Sequence, residues 1–239
     1  MILITGGGTR VPIDDVRYIG NNATGSFPCK IVKEYLQQNY GVTYLGSEHG
    51  EKPFELTIDI TKLFQELDCA RAEEITELVR KSRLRSSSYR QFLYSTYYDY
   101  KNQLEKCLEK SWDTIFLGAA VSDYLVEKYS GKIQSSSELS IQLTPAPKII
   151  SSVRKMAPKS KIIGFKLLYD VGEKTLIEAA EKSIQVNDCD GIVANDYWKI
   201  GQGRPEILFV TKKGVTKIQT SDHMAKDLVC LVNKMPSRS

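Results

Sequence analysis

Apolar residues fall into two periods along this chain, and the alternation between them outlines an α/β fold. Ile2-Leu3-Ile4-Thr5 reads as a buried first strand that breaks at Gly6-Gly7-Gly8. Ile31, Val32, Tyr35 and Leu36 recur at helical spacing, which predicts a helix over about 28–39, and Val42-Thr43-Tyr44-Leu45 predicts a second strand. Leu56, Ile58 and Ile60 alternate as a strand. From about 61 to 110 the pattern is mainly helical, with stripes at Leu63, Phe64, Leu67 and at Ile75, Leu78, Val79. A basic, serine-rich loop is expected at 81–88. The tyrosines at 94, 97, 98 and 100 lead into a helix through Leu104 and Leu108, where packing is a better reading than a stacking surface.

The second half is clearer. Thr114 to Val121 is almost wholly apolar, as a central parallel strand covered on both faces should be. Leu139, Ile141 and Leu143 alternate as a strand, and a helical stripe of Ile149, Val153 and Met156 follows Pro147. Strands at Ile162–Phe165 and Gly191–Ala194 flank a helix carrying Leu176, Ala179, Ala180 and Ile184. A hairpin is expected over 207–218, then a last helix with Met224, Leu228 and Leu231, capped by Ser221 or Asp222. The order predicts a Rossmann-like three-layer α/β sandwich, its sheet mainly parallel with an antiparallel C-terminal hairpin. One domain over 1–239 with a helical insertion at about 61–110 is expected.

Composition narrows the function classes. The chain has 239 residues, enough for one large α/β domain. No run approaches the roughly 20 apolar residues of a membrane span. The strand-like start leaves no room for a signal sequence, so a cytoplasmic location is expected. Five scattered cysteines without a C-x-x-C pair form neither a disulfide framework nor a zinc site. With only two histidines, His49 and His223, a histidine base or metal cluster is disfavoured. A net charge of +4 without a basic stripe suits anionic small substrates and not nucleic acid.

Ligands of open α/β sheets bind beyond the carboxyl ends of the strands. Unusual residues stand at four such ends: Gly6-Gly7-Gly8-Thr9, Ala119-Ala120-Val121-Ser122-Asp123, Phe165-Lys166 and Asn195-Asp196. The glycines are not the dinucleotide fingerprint, because about twenty residues separate them from the helix and no acidic residue ends the second strand. A flavin- or NAD-dependent oxidoreductase is therefore a minor alternative.

The intervening segment carries a family signature. Gly7-Gly8-Thr9-Arg10-Val11-Pro12-Ile13-Asp14, Val16-Arg17-Tyr18-Ile19 and Asn21-Asn22-Ala23-Thr24-Gly25 resemble the G-G-T-x-x-P-[IL]-[DE]…V-R-x-[IL]-x-N-x-[ST]-[ST]-G pattern of phosphopantothenate–cysteine ligases. Ala119 to Tyr124 is similar to that family's A-A-V-[SA]-D-[FY], and Lys132-Ile133-Gln134-Ser135 to its K-I-x-[SK] strap. Pro147-Lys148-Ile149, Gly164-Phe165-Lys166-Leu167 and Val193-Ala194-Asn195-Asp196 follow in order. The chain departs from the pattern at Ala23, where serine is common, and at Ser26-Phe27-Pro28, where a glycine or basic residue is usual.

The resemblance implies a soluble enzyme of coenzyme A synthesis, without a fused flavin decarboxylase domain, that joins 4'-phosphopantothenate to L-cysteine. CTP or ATP would activate the carboxylate as an acyl-nucleotide, with Mg²⁺ held on the triphosphate rather than in a protein cage. It implies catalytic roles for Asn21, Arg17 and Lys132. Asn21 would handle the acyl-nucleotide, or else serve as a turn residue. Arg17 would fork onto an anion, or pair internally with Asp14 or Asp15. Lys132 would close over the triphosphate on the strap, or stand as a surface lysine. Nucleotide contacts are expected from Gly7, Gly8, Thr9, Ala119, Ala120, Asp123, Pro147, Lys148, Phe165, Lys166, Lys182 and Asn195. Asp123 has a helix cap as its alternative, and Phe165 a place in the core. Asn22, Thr24 and Gly25 are expected to hold phosphopantothenate, the last two through its phosphate. A homodimer sharing its sites between subunits is also implied; the rival reading is a non-catalytic relative that binds a nucleotide or coenzyme A precursor as a regulator.

Overall fold

The computed structural model describes residues 1–54, 88–135, 138–202, 206–219 and 221–238. The expected strand through Leu56, Ile58 and Ile60, both apolar stripes between Leu63 and Val79, and the basic loop up to Ser87 lie outside them.

The apolar runs pair into one sheet. Its parallel part comprises β1 (Ile2–Gly8), β4 (Val42–Ser47), β5 (Tyr89–Tyr94), β6 (Thr114–Ala120), β9 (Lys161–Leu168) and β10 (Gly191–Asp196). The hairpin strands β11 (Ile207–Thr211) and β12 (Gly214–Ile218) close one edge antiparallel. Among the described residues the order is β12-β11-β10-β9-β6-β1-β4-β5. Two short ribbons stand off the sheet's carboxyl end: β2 (Arg10–Pro12) with β3 (Tyr18–Gly20), and β7 (Tyr124–Leu125) with β8 (Thr144–Pro145).

Alternation along the strands feeds two cores. Ile2, Ile4, Tyr44, Phe116, Ile163 and Val193 face α1 (Ser26–Gln37) and α6 (Met224–Asn233). Leu3, Leu45, Ile115, Ile162 and Ile192 face α2 (Tyr97–Leu108), α3 (Ile150–Met156) and α4 (Glu173–Asn187). Helices on both faces of a mainly parallel sheet make the expected three-layer, Rossmann-like arrangement. No helix of the described residues is long and apolar enough to cross a membrane. Cys29, Cys107 and Cys189 are buried free thiols, and Cys230 is an exposed one.

Three expectations need correction. Residues 89–94, read as part of a helical stretch, form the edge strand β5 in register with β4. Leu139, Ile141 and Leu143 form no strand, and two of them, Leu139 and Leu143, are exposed; pairing is confined to Thr144–Pro145. The last helix begins at Met224 without a side-chain cap, and Ser221 Oγ instead accepts from His223 N–H at 3.2 Å.

Tyr94 is core rather than stacking surface. Its hydroxyl donates to the carbonyls of Gly6 and Gly7, each at 2.9 Å, inside a fully buried cluster with Tyr100. Tyr94→Phe leaves those carbonyls without that donor and should cost about 1–3 kcal/mol in urea unfolding. A loss within error of zero would show that the glycine turn does not lean on this hydroxyl.

Candidate active site

The chain crosses from β1 to β4 on one side and later to β6 on the other, so the strand order reverses between the parallel neighbours β1 and β6. A crevice at such a reversal is where open α/β sheets take ligands. Here Gly7 lies opposite Ala119 and Gly8 opposite Ala120. The segment after β3 folds back over them. Asn21 Nδ2 donates to Ala120 O at 3.0 Å, and a Cβ on Gly8 would stand 2.9 Å from Asn21 O.

Close backbone approach shapes this corner. Gly7 has φ +86°, and a Cβ there would meet Ser47 Cβ at 2.5 Å. Gly25, φ +82°, stands just before α1, and its Cβ would meet Gly7 N at 2.8 Å. The start of α1 therefore sits directly on the turn after β1. Thr24 Oγ1 accepts from Ser26 N–H at 3.2 Å, and Pro28 in the first turn has no N–H to leave unpaired. Ser47, not singled out in the sequence, donates its hydroxyl to Gly8 O at 2.9 Å.

Thr9 is buried. Its N–H donates to Ala120 O at 3.1 Å and its hydroxyl accepts from Ser122 N–H at 2.9 Å, so its side chain binds the two strand ends to each other. Asp123 is exposed and pairs with Lys148, while its carbonyl accepts from Ala146 N–H at 2.8 Å. It precedes a strand and caps no helix. Pro147 O accepts from Tyr97 hydroxyl at 2.6 Å. Phe165, half-buried, meets Phe27 edge-on with centroids 6.3 Å apart. Lys166 is half-buried on the opposite face of β9, and Asn195 stands near the end of β10. Asn22 Nδ2 donates to Tyr197 hydroxyl at 3.2 Å. Lys182 lies on the exposed side of α4, opposite the buried Leu176, Ala180 and Ile184.

Arg17 makes the internal ion pair, and its partner is Asp14. Its Nε donates to Asp14 Oδ2 at 2.9 Å, and Nη2 reaches both Asp14 Oδ2 at 2.5 Å and Ile133 O at 2.7 Å. Asp14 also accepts from the N–H groups of Val16, Arg17 and Ile133. The Arg17 guanidinium, helped by these donors, holds the Asp14 carboxyl well below the usual carboxylate range. Asp15 takes Lys128 and the Gly131 N–H. Together the acids staple residues 128–133 to the loop before β3, and Lys132 stands exposed between two anchored neighbours.

A model of the DNA/pantothenate metabolism flavoprotein C-terminal domain matches residues 1–81 and 95–235. The chain belongs to that family. It is 27% identical over 224 residues to the coenzyme A biosynthesis bifunctional protein CoaBC of Methanocaldococcus jannaschii, covering 92% of this chain and 47% of that one. It spans about half the length of that relative. Against the phosphopantothenate–cysteine ligase of Homo sapiens it is 28% identical over 252 residues, 93% of this chain and 79% of the other. The crystal structure of the DNA/pantothenate metabolism flavoprotein from Streptococcus pneumoniae superposes with a TM-score of 0.77 at 25% identity, covering 97% of each chain. The resemblance and the fold class read from the sequence are borne out.

The Asp14 staple has a signed pH dependence. Because its folded pKa is depressed, its stabilisation is fully present above about pH 4 and drains away as pH falls towards the folded value. Asp14→Asn should therefore be less stable than the parent at neutral pH, with the gap narrowing below about pH 4 in acid-unfolding curves. A gap that stays constant with pH would assign the loss to packing instead.

Proposed function

We propose that this chain is a phosphopantothenate–cysteine ligase of coenzyme A synthesis. The observation that carries the reading is the meeting of Asn21 with Gly8 and Ala120 at the reversal of strand order, in a chain of this family. The human relative named for this activity supports the same substrates, and the Methanocaldococcus relative supports the same biosynthesis. The phosphopantothenate carboxylate attacks the α-phosphorus of ATP or CTP, forming an acyl-nucleotide and releasing pyrophosphate. The cysteine amine then attacks the acyl carbon and the nucleoside monophosphate departs. Neither step needs an enzyme nucleophile; positioning and charge stabilisation suffice.

Asn21 is the amide that donates to the acyl oxygen and accepts from the incoming amine, which a carboxylate could not do. Thr24 and Gly25 meet a phosphate at the start of α1, where backbone dipoles favour negative charge. Lys132 supplies a mobile positive charge to the triphosphate, and Arg17 positions it through the staple to Ile133. Mg²⁺ comes with the nucleotide, carried by its own phosphates. The exposed Val16, Tyr18, Tyr124 and Leu143 around the two small ribbons suit a second copy of the chain, giving a homodimer.

Purified protein with 4'-phosphopantothenate, cysteine and Mg²⁺ should release pyrophosphate with ATP or CTP, supplied separately, and only when phosphopantothenate is present. Asn21→Asp should lose at least a hundredfold in ligated product, on the scale of removing one transition-state donor. Folded protein that binds nucleotide yet releases no pyrophosphate would leave a binding protein in place of the ligase.

A further inference from the structure

Away from the crevice, α2 and the outer strands leave a hollow of about 180 Å³ that the scheme above does not use. The short side chains of Thr43 on β4 and Cys107 on α2 leave the gap, and the rings of Phe92 on β5 and Trp112 give it apolar sides. Trp112 is held in place, its Nε1–H donating to Cys107 O at 2.8 Å. Register separates the hollow from the crevice. Thr43 pairs with Leu3, four residues before Gly7, or about 13 Å along a strand.

The rim of the hollow carries charge of one sign. Lys106, in the last turn of α2, and Lys110, just beyond it, both line the opening and are exposed, and no carboxylate lines it with them. Earlier in the same helix, Lys101 pairs with Glu105 at 2.9 Å in the same i,i+4 spacing. Neither Lys106 nor Lys110 has an ion pair among the described residues. The carboxyl end of a helix favours cations, but two like charges one turn apart still repel each other. An anion between them removes that repulsion. Burial pushes the Cys107 thiol up, so at neutral pH it is uncharged and does not oppose an anion.

We propose that this hollow is a second ligand site, taking a small anion whose apolar body is the size of a single aromatic ring. The body enters between Phe92 and Trp112, and the charge lies between Lys106 and Lys110. Burial of the ring supplies affinity, and the lysines select an acid over its neutral counterpart. Such a ligand touches none of the residues that form the crevice, so it binds beside the nucleotide and not in its place. Its binding requires nothing of the ligase chemistry and is measured apart from turnover.

Phenylacetate and its neutral amide are the probes, titrated into the ¹⁵N-labelled full chain. The other tryptophan, Trp198, lies in the short helix α5 (Tyr197–Gly201) after β10 and serves as internal control; Trp198→Phe assigns the two indole resonances. Phenylacetate should shift the Trp112 indole N–H saturably and leave that of Trp198 in place, with or without Mg·ATP. Phenylacetamide should bind about fivefold more weakly, the difference two exposed ion pairs supply. Lys106→Ala combined with Lys110→Ala should bring the acid down to the amide and leave the amide unchanged, whereas Phe92→Ala should weaken both alike. No saturable Trp112 shift up to about 10 mM phenylacetate, equal affinity for acid and amide, or displacement by Mg·ATP overturns the site.

Discussion

Everything at the carboxyl end of this sheet depends on how closely two stretches of backbone approach each other. Gly7 turns the chain out of β1 in a left-handed conformation, and Gly25 brings the start of α1 to rest on its amide. A Cβ on Gly7 would stand 2.5 Å from Ser47 Cβ and one on Gly25 2.8 Å from Gly7 N, so the buried Ser47 or the backbone itself would have to shift. That approach buries the carbonyls of Gly6, Gly7 and Gly8 near the switch point. Tyr94 and Ser47 supply their side-chain donors from the next strands along.

Buried carboxylates do the rest of the positioning. Asp14 gathers two loop amides, an amide of the strap and the Arg17 guanidinium, and so couples segments more than a hundred residues apart in sequence. Asp196 does the same at the other end of the crevice with three amides. Each anion is fully hydrogen-bonded, the condition under which a buried charge organises structure instead of destabilising it. The outward-facing side chains, Asn21 and Lys132, are thereby presented from backbone that is already fixed.

The layered fold was legible because buried strands write themselves as apolar runs: Ile2–Thr5, Thr114–Val121 and Gly191–Ala194 each became a central strand. Residues 89–94 were not, since four of six side chains of that edge strand are exposed and no alternation survives. Leu139, Ile141 and Leu143 misled in the opposite way, their spacing being that of a strand without a partner. Local motifs picked out residues that meet at the strand ends, yet partners distant in the chain decide what each of them touches. Asp14 and Asp15 are equivalent neighbours of Arg17 in sequence; the amides of Val16 and Ile133 select Asp14. Tyr94 was legible as packing, but neither its bond nor that of Ser47 was, because nothing local distinguishes a buried hydroxyl aimed at a glycine carbonyl from ordinary core. Lys182 was a candidate on charge alone, and the buried stripe of α4 leaves it on the exposed side of that helix.

The central claim is that the crevice joins a carboxylate to an amine by way of an acyl-nucleotide. Labelling the phosphopantothenate carboxylate with ¹⁸O and running the ligation to completion tests it most directly. Activation through the α-phosphorus predicts that each turnover leaves one ¹⁸O in the released nucleoside monophosphate. Label appearing in orthophosphate, or in no phosphorus-containing product, would contradict the account.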